Sequence, residues 1–175
     1  VQTCALPILA IEYLRSYDGE KPLLLVLSVE PPHFPCKAPE QFCRFDPAGL
    51  EVRPNFARPD PIATLQQPVL EEGVLRQILA NYYAMIENLD WNIGRLLGAV
   101  QAQPGFENTL TAYFSDHGDY VGSHGLRTTK INHHEESVRI PSIFHWPGHL
   151  QAQGPADGLF SLVDLAARVL PLMGG

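Results

Sequence analysis

The sequence predicts an α/β fold built on a mainly parallel sheet flanked by helices. Three observations lead to this prediction: a short apolar run at residues 23–29, a long amphipathic stretch at 69–100, and two further strand-like segments separated by a polar loop. The order strand, long helix, strand, loop, strand, helix is typical of α/β domains. At 175 residues the chain has the length of one domain, enough to bury roughly 70% of its unfolded surface.

The first half of the chain predicts a helix end, a buried strand and a long loop. Residues 9–17 form the end of a helix with Ile11 and Leu14 on one face. The continuous apolar run at 23–29 is typical of a strand covered on both faces. Residues 31–68 carry nine of the chain's 16 prolines together with several phenylalanines, which favours an ordered loop over the edge of the sheet.

The second half predicts a long helix, two strands and a terminal helix. Apolar residues recur every three or four positions from 69 to 100, which indicates an amphipathic helix of unusual length. Residues 109–115 and 140–146 are the two later strands. Residues 161–164 (SLVD) resemble a capping box that opens the final helix.

Composition excludes two classes of partner. Twelve basic against 19 acidic residues give a net charge of −7, and no basic stripe interleaved with aromatics occurs, so nucleic acid is not an expected partner. The longest apolar run, residues 23–29, is too short to span a bilayer, so no membrane span is expected. The sequence predicts neither localisation nor oligomeric state.

Residues 1–8 (VQTCALPI) are interpreted as the translation of a sequencing adapter, and they are excluded from fold reasoning. The expected domain is therefore residues 9–175, an internal piece of a longer gene. Cys4 falls in the excluded segment. Cys36 and Cys43 could be two thiols or one small disulfide, and the spacing leaves this open.

Candidate site residues follow the predicted strands. His33 comes after the first strand and Asp116 with His117 after the second, at the strand ends where open α/β sheets bind ligands. A carboxylate oxygen and an imidazole nitrogen form half of a divalent-metal site, and Lys130 could stabilise an oxyanion. Each residue also has a plain structural interpretation: a turn aspartate, a solvated lysine and a loop histidine bonded to backbone.

Taken together, these segments resemble the type I sulfatases of the alkaline phosphatase superfamily. The resemblance rests on residues 115–126 (SDHGDYVGSHGL), Lys130 and residues 135–141 (EESVRIP), with 31–35 (PPHFP), 146–148 (WPG) and 161–170 matching in order. It implies an alkaline phosphatase-like fold, truncated at its front. It also implies a sulfuric ester hydrolase.

The resemblance implies a role for each candidate residue. Asp116 and His117 would be two ligands of one divalent cation, Ca²⁺ in the first place, with Mg²⁺ or Mn²⁺ as alternatives. Lys130 would contact the sulfate and the leaving-group oxygen. His33 would bind on the leaving-group side as a candidate general acid. The substrate would be a small-molecule or glycan sulfate ester.

The family's nucleophile is absent from the sequence. Sulfatases convert Cys or Ser in a Cys/Ser-x-Pro/Ala-x-Arg motif to formylglycine, and neither Cys36 nor Cys43 fits this motif. The nucleophile and the remaining metal ligands are expected upstream, so the 175-residue chain alone is expected to be inactive. Two alternatives stay open: a phosphonate monoester or phosphodiester hydrolase of the same superfamily, and a non-catalytic binding module.

The sequence also predicts roles for four further residues near the site. Glu135 and Arg139, four residues apart, are expected to form an ion pair. His133 and His134 are assigned to the substrate pocket or the surface.

Overall fold

One 30-residue helix organises the structure, a computed structural model that describes residues 5–58, 61, 70–126, 130 and 133–173. In chain order the helices and strands are α1 (Ala5–Ser16), α2 (Glu72–Gln101), β1 (Thr111–Phe114), α3 (Glu135–Val138), β2 (Ser142–His145) and α4 (Val163–Val169). Short 3₁₀ turns lie at Glu40–Phe42, Pro47–Gly49, Phe106–Asn108, Ser123–Gly125 and Leu170–Met173. No helix in the described part of the chain is long and apolar enough to cross a membrane.

Helix α2 confirms the long amphipathic helix. Its buried face carries Ile78 and Met85 of the predicted pattern and also Leu75, which the pattern did not include. Three apolar residues of the predicted pattern are exposed instead: Val74, Ile86 and Leu97. Two buried asparagines continue this face toward the C-terminal half, where the Asn92 side-chain amide donates to the Asn88 carbonyl oxygen at 2.8 Å. Because this bond satisfies a polar group within the helix, α2 can bury its polar residues without a costly unpaired donor.

The proline-rich segment packs onto α2. Cys36 belongs to the buried cluster around α2, and Phe45 lies against Tyr83 with 5.7 Å between ring centroids. Ala38, Leu50, Val52 and Phe56 pack against the same cluster. The prediction of an ordered loop is therefore confirmed for its described part, residues 31–58 and 61, although the loop covers a helix and not a sheet edge. The rest of the predicted loop lies outside the described residues.

The sheet differs from the prediction. Strands β1 and β2 lie within the two predicted segments, but they pair antiparallel, with Thr111 opposite His145 and Phe114 opposite Ser142. This sheet has two strands in the part of the chain that the structure describes. Two neighbouring strands run parallel only when a crossover carries the chain back to the end of the sheet at which the first strand began. A loop that turns back where the first strand finishes makes the second strand antiparallel.

The apolar run at 23–29 is not a strand in the structure, so this prediction is wrong for the described residues. Leu24 is exposed and Val26 is 77% exposed, which is the opposite of burial on both faces. A strand is defined by ladder hydrogen bonds to a neighbour, and no described segment pairs with this run.

Smaller predictions are also settled. Helix α1 contains the predicted apolar face, with Ile11 and Leu14 buried against α2. Before α4 the Asp164 carboxylate accepts from the Ser161 backbone N–H at 3.2 Å, which is one of the two bonds of the predicted capping box. Cys36 is buried and Cys43 exposed, and no disulfide joins these two described residues.

Candidate functional site

Asp116 and His117 lie in the loop that leaves β1. The Ser115 hydroxyl donates to the His117 carbonyl oxygen at 2.7 Å, and Asp116 Oδ1 accepts from the His117 backbone N–H at 3.0 Å. These two bonds fold the chain back on itself directly after the strand. As a result Asp116 Oδ2 and His117 Nε2 lie 3.6 Å apart, and the Asp116 side chain is 83% exposed.

The orientation of the His117 ring follows from one contact. Its Nδ1 lies 2.7 Å from the Gly118 carbonyl oxygen, which can only accept, so Nδ1 carries the proton. In the neutral ring Nε2 then presents a lone pair beside the Asp116 carboxylate. A ring nitrogen fixed in this way by a backbone carbonyl is the usual arrangement for a metal-ligating histidine. The residues present therefore fit a divalent cation.

Two ligands do not complete a metal site. Among the residues that the structure describes, no group of three or more His, Cys, Asp or Glu side chains could hold a metal ion. A cation at Asp116 and His117 would therefore require ligands from beyond these residues.

His33 is exposed and held by its own backbone neighbourhood. Its N–H donates to the Glu30 carbonyl oxygen at 3.0 Å, and its Nδ1 lies 2.6 Å from the Phe34 carbonyl oxygen. Since a carbonyl oxygen only accepts, Nδ1 of His33 carries a proton, and Nε2 is the ring nitrogen that can interact with a ligand. This matches the backbone-bonded loop histidine of the structural interpretation, and it also leaves the Nε2 edge available for acid chemistry.

Asp119 links the predicted residues, and sequence reasoning missed it. Burial raises the pKa of its carboxyl, while the positive charges of Lys130, His117 and His33 and a bond from the Tyr120 backbone N–H act to lower it. Asp119 thus interacts electrostatically with three of the residues that the sequence predicted. Its Oδ1 is buried and has no hydrogen-bond partner in the described part of the molecule. The only signal in the sequence was its place two residues after His117.

Tyr82 on α2 interacts electrostatically with this carboxylate. Burial, followed by the negative charge of Asp119 and the nearby Cys36, raises the pKa of Tyr82 to about 12. Tyr82 is therefore a phenol that stays neutral at physiological pH.

Two glycines allow the site loop to pack closely. A Cβ on Gly118 would overlap the Glu136 carbonyl oxygen, and a Cβ on Gly122, whose φ is +100°, would lie 2.5 Å from Leu75 Cδ2. Both positions therefore require glycine, Gly118 for contact with α3 and Gly122 for contact with α2.

The predicted ion pair between Glu135 and Arg139 is absent from the described residues, since no ion pair joins their side chains, although the Arg139 backbone N–H donates to the Glu135 carbonyl oxygen at 2.9 Å. Helix α3 is a single turn that ends at Val138, and Arg139 has φ −87° and ψ 96°. The chain therefore leaves the helical conformation at Arg139, directly after its N–H has made the last i, i+4 backbone bond. His133 is exposed, whereas His134 stacks on His124 with centroids 4.1 Å apart.

Comparison with known proteins gives the class to which this chain belongs. Residues 8–175 match the sulfatase family, so the chain belongs to that family. It is 29% identical to an arylsulfatase of Clostridium perfringens, over 94% of this chain and 36% of that protein. It is 28% identical to the multifunctional alkaline phosphatase superfamily protein PehA of Trinickia caryophylli, over 95% of this chain and 37% of that protein.

Solved structures agree with this assignment. The sulfatase-like protein yidJ of Bacteroides fragilis overlaps 98% of this chain and 37% of its own, with a TM-score of 0.82 and 30% identity. A phosphonate monoester hydrolase of Agrobacterium radiobacter overlaps 85% of this chain and 34% of its own, with a TM-score of 0.74 and 25% identity. The chain is thus part of an α/β domain of the alkaline phosphatase-like fold, and it spans a little over a third of these relatives' length.

Proposed function

We propose that this chain supplies one part of the active site of a sulfatase that hydrolyses sulfate esters of small molecules or glycans. The observation that carries the proposal is the electrostatic influence of Lys130, His117 and His33 on one carboxyl, that of Asp119, whose Oδ1 is buried. A cluster of cationic and imidazole groups suits a substrate with a negatively charged oxyanion. Family membership supports sulfate as that anion.

Each side chain is proposed to have one role. Lys130 is exposed, and its ammonium would bind the sulfate and the leaving-group oxygen. His33, with Nδ1 already bonded to Phe34, would act in its doubly protonated imidazolium form and donate the proton from Nε2 to the leaving oxygen, which leaves the neutral Nδ1–H ring. Both residues would therefore be substrate-binding as well as catalytic.

The cofactor proposal concerns Asp116 and His117. They would hold one divalent cation, Ca²⁺ in the first place and Mg²⁺ or Mn²⁺ otherwise, and such a cation supplies positive charge that stabilises developing negative charge. The Gly118 carbonyl would hold His117 in the tautomer that can ligate. The nucleophile, proposed to be formylglycine, would come from outside this chain.

The domain proposal is that residues 9–175 are part of a longer catalytic domain and residues 1–8 an adapter scar. The exposed run at 23–29 supports the longer domain, since its apolar side chains suit a strand with partners on both edges. A mainly parallel sheet would then form in the full-length protein.

The proposed function is tested on the full-length protein with 4-nitrophenyl sulfate. Lys130→Ala should lower kcat/KM by roughly 10²–10³-fold, as for removal of one oxyanion-stabilising group. The matched control Lys37→Ala removes an exposed lysine on the proline-rich segment and should leave kcat/KM unchanged. Equal activity of both variants would contradict the role of Lys130.

The role of His33 is tested through the leaving group. His33→Ala should impair hydrolysis of an alkyl sulfate more than that of 4-nitrophenyl sulfate, because 4-nitrophenolate leaves without a proton. An equal loss on both substrates would exclude His33 as the acid.

The two alternative functions, a phosphonate hydrolase and a binding module, predict different results in these assays. The resemblance to a phosphonate monoester hydrolase makes 4-nitrophenyl phenylphosphonate the competing substrate. A higher kcat/KM on the phosphonate than on the sulfate would favour that activity. Sulfate-ester binding without turnover of either substrate would favour a binding module.

A further inference from the structure

Glu136 joins three segments of the chain that are distant in sequence. Its carboxylate lies 3.4 Å from the Asn55 side-chain amide and 3.4 Å from His124 Nε2, and the Ser123 hydroxyl also donates to it. Asn55 belongs to the proline-rich segment, and Ser123 and His124 belong to the loop after β1. One side chain on the turn before β2 therefore ties both loops together.

The surroundings of Glu136 favour the ionised form of its carboxyl. Burial acts to raise the pKa of the carboxyl, but bonds from its own backbone N–H, from Ser123 and from Asn55, with the charge of His124, outweigh burial and lower it. Glu136 is thus held as a carboxylate that accepts several bonds at once.

From the turn that carries Glu136, a chain of hydrogen bonds leads to the site. The Gly118 backbone N–H donates to the Ser137 carbonyl oxygen at 2.8 Å. The Gly118 carbonyl oxygen in turn accepts from His117 Nδ1 at 2.7 Å. Ser137, next to Glu136 in the chain, therefore holds the backbone of Gly118 at its N–H, and the carbonyl oxygen of the same glycine holds the orientation and tautomer of the His117 ring.

The loop needs such an anchor because its backbone is strained. Val121 has φ 39° and His124 has φ 57°, both in the left-handed region that non-glycine residues avoid. Helix α3 is only one turn long, so it cannot hold its position by helical hydrogen bonds alone. Cross-segment contacts must supply the rigidity, and the Glu136 carboxylate makes three of them.

We propose that Glu136 is a positioning residue for the cation site, acting on His117 through Ser137 and Gly118. This inference rests on the proposed function, because it assumes that Asp116 and His117 bind a divalent cation. It adds a residue that touches neither the cation nor the substrate. Outer residues of this kind change metal affinity by about 10- to 100-fold when they are removed.

The test measures cation binding by the full-length protein, with Ca²⁺ alone titrated calorimetrically into metal-stripped protein. Glu136→Ala should raise the Kd about 10- to 100-fold. Glu136→Gln keeps an acceptor oxygen for Asn55 and Ser123 and should recover most of the affinity. Glu135→Ala is the matched control, since Glu135 is an exposed glutamate on the same turn, and it should bind as the wild type does.

A second readout follows the ring directly. In ¹⁵N-histidine-labelled metal-free protein, with His117 assigned by loss of its signals in His117→Gln, the neutral ring should be the Nδ1–H tautomer. Glu136→Ala should convert it to a mixture of tautomers, which a general loss of stability in a folded protein would not do. If Glu136→Ala does not fold, Asn55→Ala takes its place and should show the same two effects to a smaller degree.

Failure of the inference and failure of the proposed function are distinguishable. Asp116→Ala should abolish Ca²⁺ binding, and if it binds as the wild type does, the cation site is wrong and the inference falls with it. If Asp116→Ala abolishes binding while Glu136→Ala, or Asn55→Ala in its place, matches Glu135→Ala in affinity and tautomer, the inference alone is overturned.

Discussion

At Asp119 burial and charge act on one carboxyl in opposite directions. Burial raises its pKa, and Lys130, His117 and His33 compensate for only part of that effect. A raised pKa means that the folded state binds the proton more tightly than the unfolded state. Ionised Asp119 therefore costs stability at neutral pH, while its charge organises the cations around the site.

Replacing Asp119 by Asn should increase stability at pH 7, because the cost of burying the charge disappears. The sign of the pH dependence follows: the cost in the wild type is full above the raised pKa and vanishes as pH falls below the ordinary value of 3.8. The Tm difference between variant and wild type should therefore shrink from pH 7 toward pH 4. Thermal unfolding of the full-length protein measures it.

The control for this prediction is Asp90→Asn, which removes an exposed carboxylate on α2 and should leave the Tm nearly unchanged. A lower Tm for Asp119→Asn than for the wild type at pH 7 would show that the surrounding cations outweigh burial.

At the level of elements, α2 is the support for the site. Leu75 is fully buried, belongs to the cluster that also contains Val121, and packs against the loop at Gly122. The same helix carries Tyr82, whose pKa is raised by burial and by the charge of Asp119. Packing along one face of α2 therefore sets the distance between the helix and the loop that contains His117.

Leu75→Ala should destabilise the full-length protein by about 2–5 kcal/mol, the usual cost of a cavity at a buried leucine. The adjacent Val74 is 49% exposed, and Val74→Ala should change the free energy of unfolding by less than about 0.5 kcal/mol. Urea unfolding of both variants measures the difference. Similar losses for the two would mean that Leu75 does not hold α2 to the site loop.

At the level of the whole molecule, large apolar side chains lie exposed on the surface, although the chain has a net charge of −7. The run at 23–29 exposes Leu24, Leu25 and Val26. An extended apolar segment without a strand partner is a template for association with another chain. In the full-length protein we propose that strands of the remaining sheet cover this run.

The 175-residue chain expressed alone should therefore associate or precipitate, and Val26→Lys should increase its soluble fraction. In the full-length protein the same substitution should lower stability, because it would place a charge in the sheet. Size-exclusion chromatography of the chain and thermal unfolding of the full-length protein measure the two effects. Gln101→Lys adds the same charge at an exposed position. It should neither increase the soluble fraction of the chain nor lower the stability of the full-length protein. A soluble monomeric chain would contradict the covered-run proposal.

Prediction from sequence succeeded where the signal is local. The three- and four-residue spacing within α2 and the capping residues of α4 are set by neighbours along the chain, and both helices form as predicted. The motif around Asp116 and His117 was found in the same way, because the family's residues are adjacent in sequence. Their roles in catalysis stay predictions.

By itself the sequence determined α1, α2 and α4, the described part of the ordered proline-rich segment and the family, since periodicity, turn residues and motifs act over short distances. Only the tertiary structure decided the helical turn α3, the antiparallel pairing of β1 with β2, the electrostatic surroundings of Asp119 and the contacts of Glu136. Asn55 and Glu136 are 81 residues apart, and no local pattern encodes their contact. Strand direction and site assembly depend on how the chain returns in space, and that is decided by contacts between residues distant in sequence.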